Sequence, residues 1–263
     1  MRSRFTGLIT AAAAVFAVLS LATTPASSQA PAAAAQAGAI PRAADGKPDF
    51  SGIWQVLAPA SWNIQDHHAE KGVPGGQGVV EGNEIPYLPA ALAKKNENYK
   101  NRATADSVSK CYLPGVPRIM YMPFPFQIFQ TPNYIAMTFE YVHAVRHVYI
   151  NSEHLEGPIE WWMGDSRAKW DDETLVVDAT YFNAETWFDA AGNHHSEDLH
   201  LVERYSFVDH NHINYEVTVE DPKTFSRPWK MRMPLYRRLE PNIQILDYEC
   251  AAFDELGPTQ VGQ

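Results

Sequence analysis

The sequence predicts an all-β, mainly antiparallel fold, closed as a barrel or stacked as a sandwich, with a loop-and-helix extension ahead of the main sheet. Three observations lead there. From Gln127 onward the chain breaks into short runs of alternating apolar and polar residues. Turn signals separate these runs, among them Thr131-Pro132-Asn133, Asp171-Asp172, Ala191-Gly192-Asn193 and Asp209-His210-Asn211. Nowhere do strands alternate with helices, which argues against a parallel sheet. The expected strands are 50–57, 126–130, 134–141, 145–150, 160–163, 167–170, 174–179, 199–207, 212–219, 229–237 and 243–249.

The N-terminus carries Arg2 and Arg4, an apolar run from Leu8 to Leu21, then small residues to Ala30. This is the pattern of a secretory signal peptide over 1–30. The apolar run of about 14 residues is short of the roughly 20 that span a bilayer. Arg2 and Arg4 are not adjacent, so the general secretory route is expected rather than the twin-arginine one. The expected destination is periplasmic or extracellular. Residues 31–49 read as a flexible tether and turn, 50–255 as one β domain with a loop-and-helix insertion at 58–110, and 256–263 as a disordered tail. Within the insertion, the Gly- and Pro-rich stretch 58–86 is irregular. Pro89 opens a helix over 90–102, with Leu88, Leu92 and Tyr99 as its apolar stripe against the outside of a sheet.

The chain has 21 Lys+Arg against 31 Asp+Glu. Without Arg2 and Arg4 the balance is 19 against 31, a formal charge of −12. Such a surface repels nucleic acid and anionic lipid. Neither partner is expected, nor is membrane insertion once the signal is removed. Cys111 and Cys250 are expected to form a disulfide, which export permits. It would close a loop of about 140 residues, worth about 4–5 kcal/mol in the chain-entropy account.

The candidate site residues cluster between Trp161 and Glu203 and in the run FEYVHAVRHVY. Alternation in 199–207 puts Glu203 on the apolar face with Leu201 and Tyr205. A carboxylate there must pair with a buried Arg, for which Arg146 and Arg118 are available, or act as an acid or base. In 174–179, Leu175, Val177 and Ala179 share one face, and Asp178 lies on the other. A tight turn near Val142–Val145 would bring His143 and Arg146 together. The expected catalytic set is His143, Arg146, Asp178, His195 and Glu203. His195 or His143 would be the base, Glu203 or Asp178 the acid or orienting group, and Arg146 the oxyanion stabiliser. Tyr149, Trp162, Phe182, Asn183, Trp187 and His200 are the expected ligand contacts.

Other chemistries fit less well. His194, His195, His200, His210 and His212 match no strong metal-ligand spacing, so no metal is expected. Gly164-Asp165-Ser166 is not a nucleophile elbow. A paired-carboxylate glycosidase could draw on Asp165, Asp178 or Glu203. No Gly-rich phosphate loop precedes a helix, so no cofactor is expected.

Gly52-Ile53-Trp54 resembles the G-x-W signature of lipocalins and related calycin barrels. That resemblance implies a calycin-like barrel in which the Trp closes one end under an Arg of the last strand, here Arg237 or Arg238. The T-D-Y motif of lipocalins is missing. A broader resemblance, to a family of secreted bacterial proteins, rests on PRAADGKPDFSGIW, CYLPGVPR, PFPFQIFQTP, EYVHAVRHVY, GDSRAKWDDETLVVDATYFN, HSEDLHLVERY and VTVEDPKTFSRPW. It implies export and a single domain, and no reaction. Its pattern includes His143, Arg146, Trp170, Asp178, Asn183, Trp187, His195, Ser196, His200 and Glu203. The functions expected are an exported barrel binding an apolar or aromatic small molecule, a cofactor-independent isomerase, lyase or hydrolase on the same pocket, or a structural envelope protein.

Overall fold

The structure is a computed structural model and describes residues 38–157 and 159–250. The expected signal peptide, residues 31–37 of the tether and the C-terminal tail lie outside the described residues. Nine strands close into one barrel: β1 (Gly52–Gln55), β2 (Phe126–Thr131), β3 (Tyr134–Phe139), β4 (Val145–Ile150), β5 (Asp165–Asp171), β6 (Thr174–Thr180), β7 (His200–Asp209), β8 (His212–Glu220) and β9 (Trp229–Arg237). Strands pair in chain order, and β1 closes on β9 through Trp54–Arg237 and Gln55–Tyr236. Closure gives each described strand a partner on both sides over at least part of its length. Every pair is antiparallel except β4–β5, which is parallel with Val148, Tyr149 and Ile150 opposite Ser166, Arg167 and Ala168. Lipocalin barrels have eight up-and-down strands, so the ninth strand and the parallel pair depart from that pattern.

The parallel pair shapes the surface. Antiparallel neighbours can be joined by a two-residue turn, but parallel neighbours need a long crossover. Residues 151–164 provide it, with no helix among those described. The expected strand 160–163 is part of this crossover. Trp161 makes only an isolated bridge to Phe182. The expected strand 243–249 is likewise irregular: Tyr248 bridges to Tyr141, and the Leu246 N–H donates to Glu140 Oε2.

Alternation fills the interior. Leu175, Val177 and Ala179 of β6 and Leu201, Glu203 and Tyr205 of β7 point inward and are buried. Ile128, Met137, Val217 and Met231 join them from β2, β3, β8 and β9, so the barrel is packed with side chains rather than hollow. Each fully buried large aliphatic side chain contributes about 1.5–3 kcal/mol.

At the β1–β9 seam the Arg237 guanidinium lies over the Trp54 ring, 4.2 Å from its centroid, and donates to Ser51 O and His210 O. Gly52 is required there. Its φ is +137°, and a Cβ would collide with Arg237 Nη1.

One α-helix is present among the described residues, α1 (Pro89–Ala105). Its expected apolar stripe is not its contact face, since Leu92 and Tyr99 are exposed. Ala91 and Asn98 are buried instead, against the loop at 191–194. Asn98 Nδ2 donates to Gly192 O, and His194 Nε2 donates to Ala91 O. At the helix end, Asp106 accepts both terminal nitrogens of buried Arg118, at 2.7 and 2.9 Å. Arg118 is therefore not the partner of Glu203. The stretch 58–86 is packed: Ile64, Val79, Val80 and Ile85 are buried, and Val80 bridges to Met231 of β9. Cys111 and Cys250 form a disulfide with their Cα atoms 5.6 Å apart. No helix among the described residues is long and apolar enough to cross a membrane.

Candidate functional site

The expected catalytic residues occupy four separate places. His143 sits at the tip of the β3–β4 turn, where Val142 and His143 both have positive φ. Such turns match the strand twist and project their side chains away from the sheet. Its Nε2 faces Glu249 Oε1 at 2.8 Å, outside the barrel. His143 and Arg146 are thus not brought together.

His195 is buried beside Phe182 and Phe188. Its Nδ1 lies 2.8 Å from Ser196 O, so that nitrogen carries the proton, and Nε2 accepts from the Thr186 hydroxyl at 2.8 Å. Burial pushes its pKa down to about 4. It is a neutral histidine with both nitrogens occupied by hydrogen bonds.

Arg146 and Glu203 do meet, in the barrel interior. Arg146 has five N–H groups and all five are used. Nε and one Nη2 hydrogen go to Ser166 Oγ, at 3.1 and 2.9 Å. Nη1 donates to Glu203 Oε1 at 3.0 Å and to the Tyr205 hydroxyl at 3.4 Å, and Nη2 also donates to Glu203 Oε2. Glu203 further accepts from the hydroxyls of Tyr205 and Tyr215. Burial opposes the charge on Arg146, but the adjacent Glu203 carboxylate outweighs this and keeps the guanidinium protonated. Burial, then the Glu203 charge, raises both tyrosine pKa values well above the ordinary value, so both remain donors.

Asp178 and His200 meet on the other side of the sheet. A row of alternating carboxylates and imidazoles crosses the outer faces of β5 to β8. Asp165 Oδ2 lies 2.8 Å from His154 Nδ1, and His154 Nε2 lies 2.9 Å from Asp178 Oδ1. Asp178 Oδ2 lies 2.9 Å from His200 Nε2, and His200 Nδ1 lies 3.2 Å from Glu220 Oε2. The Asp178 bond, helped by Glu220 and only partly offset by burial, lifts His200 to about 9. The same bond, with one from His154, holds Asp178 below its ordinary value. Burial alone would raise Asp165, but Arg167 and His154 outweigh it and hold it low.

One large cleft adjoins both clusters. Its volume is about 570 Å³, within the usual range for small-molecule sites. The β4–β5 pairing starts at Val148 and Ser166. Ahead of these residues the two strands are not bridged, and the crossover folds over the gap. Trp161, Trp162, Leu155 and Met163 of the crossover form one wall, and Val145 and Tyr149 of β4 face them. Trp162 is braced edge-on by Tyr112, at 5.6 Å between ring centroids. Gly164 is needed beneath, since a Cβ there would meet the Phe182 ring. Asp165 and Arg167 stand in the lining, and Arg167 lies over Tyr149 at 4.8 Å. Arg146 and Ser166 are the least exposed lining residues, at 1% each.

Of the expected ligand contacts, Tyr149 and Trp162 line this cleft. Phe182 is buried beneath Gly164. Asn183 Oδ1 accepts the Glu185 N–H, and Trp187 bridges to His194. His200 stands in the outer row. Trp161, Ser166, Arg167 and His154 were missed as site residues. The alternation of Gly164–Trp170 could have placed Ser166 inward and Asp165 and Arg167 outward. His154, within Asn151–Gly157, offers no periodic signal.

Among the described residues, no three His, Cys, Asp or Glu side chains are grouped to hold a metal ion. His194, His195, His200, His210 and His212 bond to separate partners. No protein-family model matches the chain, and no curated protein matches it.

Proposed function

We propose that this is an exported small-molecule-binding barrel whose apolar or aromatic ligand sits in the β4–β5 cleft rather than in the barrel lumen. The observation that carries this is the lining of the cleft. Trp161, Trp162, Tyr149 and Leu155 present rigid apolar area around a concave space, while the lumen is filled. The signal-like N-terminus and the Cys111–Cys250 disulfide support export. The test is a panel of bicyclic aromatic compounds titrated against intrinsic tryptophan fluorescence and thermal unfolding. Binding should quench fluorescence and raise Tm, and Trp162→Ala should weaken it at least tenfold while moving Tm of the free protein little. Quenching unchanged by Trp161→Ala and Trp162→Ala would remove the ligand from this cleft.

A second reading, acid–base catalysis without a cofactor, is favoured by one observation. Asp165 belongs both to the cleft lining and to the outer His/carboxylate row. The acid–base group is then His154, poised between Asp165 and Asp178, in place of His143 and His195. That reading requires turnover of a bound compound that His154→Ala abolishes.

A further inference from the structure

The most deeply buried polar groups of the cleft are Arg146 and Ser166, and they bear on what the ligand must carry. The argument rests on the cleft being the ligand site. Arg146 cannot donate to a ligand, because its five N–H groups already end on Ser166, Glu203 and Tyr205. Its charge is matched by Glu203, so the floor is neutral. Ser166 Oγ accepts two of those N–H bonds, which occupy both of its lone pairs. Its own hydroxyl hydrogen has no acceptor among the described residues. Ser166 is 1% exposed and lines the cleft, so this is a buried donor with nowhere else to turn. A hydroxyl that accepts from a guanidinium is polarised and becomes a stronger donor.

We infer that the cleft selects an apolar or aromatic ligand bearing a neutral carbonyl oxygen, such as a ketone, ester or lactone, which accepts the Ser166 hydroxyl hydrogen. Arg146 acts as a positioning residue for that hydroxyl. A carboxylate is disfavoured because it would bring an unmatched charge beside two ion pairs, Arg146–Glu203 and Arg167–Asp165, that are already balanced. A ligand that could only donate finds no acceptor on Ser166.

Three compounds of similar shape separate the outcomes: 2-acetylnaphthalene, 2-ethylnaphthalene and 2-naphthoate, titrated calorimetrically into the disulfide-intact protein. The ketone should bind about tenfold more tightly than the hydrocarbon, the difference one good buried hydrogen bond makes, and naphthoate should bind weakest. The infrared carbonyl band of bound 2-acetylnaphthalene should move to lower frequency than in an apolar solvent. Ser166→Ala should bring the ketone-to-hydrocarbon ratio to about one and abolish the band shift. The wild-type series and the band keep the test valid if that variant folds poorly. Equal binding of ketone and hydrocarbon, with quenching that depends on Trp162, would overturn the carbonyl inference and leave the cleft reading standing. Tightest binding by naphthoate would also overturn it. Absence of binding by all three would overturn both readings.

Discussion

Two charged clusters occupy opposite faces of the same wall. Inside, Arg146, Ser166, Glu203, Tyr205 and Tyr215 project from β4, β5, β7 and β8. Outside, Asp165, Asp178, His200 and Glu220 project from β5 to β8, with His154 completing the row. The inner cluster is buried and its charges are matched, with the Ser166 hydroxyl hydrogen left over at the cleft. The outer one is half-exposed and holds imidazoles between carboxylates. Charge inside is fixed by stoichiometry, donor against acceptor. Charge outside is shifted by its neighbours, down at Asp178 and up at His200. The cleft lies where the β4–β5 seam opens a path between the two, and it takes residues from both.

The contrast is broken most severely by removing one inner partner. Arg146→Ala leaves Glu203 buried without its counter-ion and should cost about 3–5 kcal/mol in denaturant unfolding. Arg146→Met combined with Glu203→Leu should recover most of that loss. If the single variant costs under 1 kcal/mol, the inner pair is not what it is described to be.

His195 gives the next largest effect and belongs to the closed type. Its pKa of about 4 lies below the ordinary 6.5, so the unfolded chain binds the extra proton first. Its stabilising contribution is complete above pH 6.5 and is lost as pH falls toward 4, by about 3 kcal/mol at most. His195→Gln should flatten that acid limb of the stability curve.

His200 behaves oppositely. Its pKa of about 9 lies above 6.5, so its contribution is complete below pH 6.5 and is lost as pH rises through about 9. Asp178→Asn should return the His200 ring toward pH 6.5 in an NMR titration, while costing no more than about 1 kcal/mol in stability. A His200 titration unchanged by that substitution would show that the outer row does not hold it.

Much of this wall was legible in the sequence. Period-two alternation put Glu203 inward and Asp178 outward, and a carboxylate on an apolar face had either to pair with a buried arginine or to act as an acid or base. Alternation cannot say which of two arginines answers. Arg118 is drawn off by Asp106, twelve residues earlier, at the helix end. Nor does it say that two good site residues on separate strands face opposite sides of one sheet, as Arg146 and Asp178 do. The three-residue spacing from His143 to Arg146 suggested convergence, but the positive φ values at Val142 and His143 carry the imidazole outward to Glu249. Trp161 and Trp162 read as a strand because they are large and apolar. They are apolar because a crossover between parallel strands covers the seam. Pairing direction is a long-range property, and no local pattern encodes it.

The central claim is the place of the ligand, at the seam and not in the lumen. Intermolecular NOEs between bound 2-acetylnaphthalene and the methyl groups of a selectively labelled protein test it most directly. The account predicts contacts to Leu155 and Val145 on the two cleft walls. Contacts instead to Ile128, Val177 or Val217 in the barrel interior would contradict it.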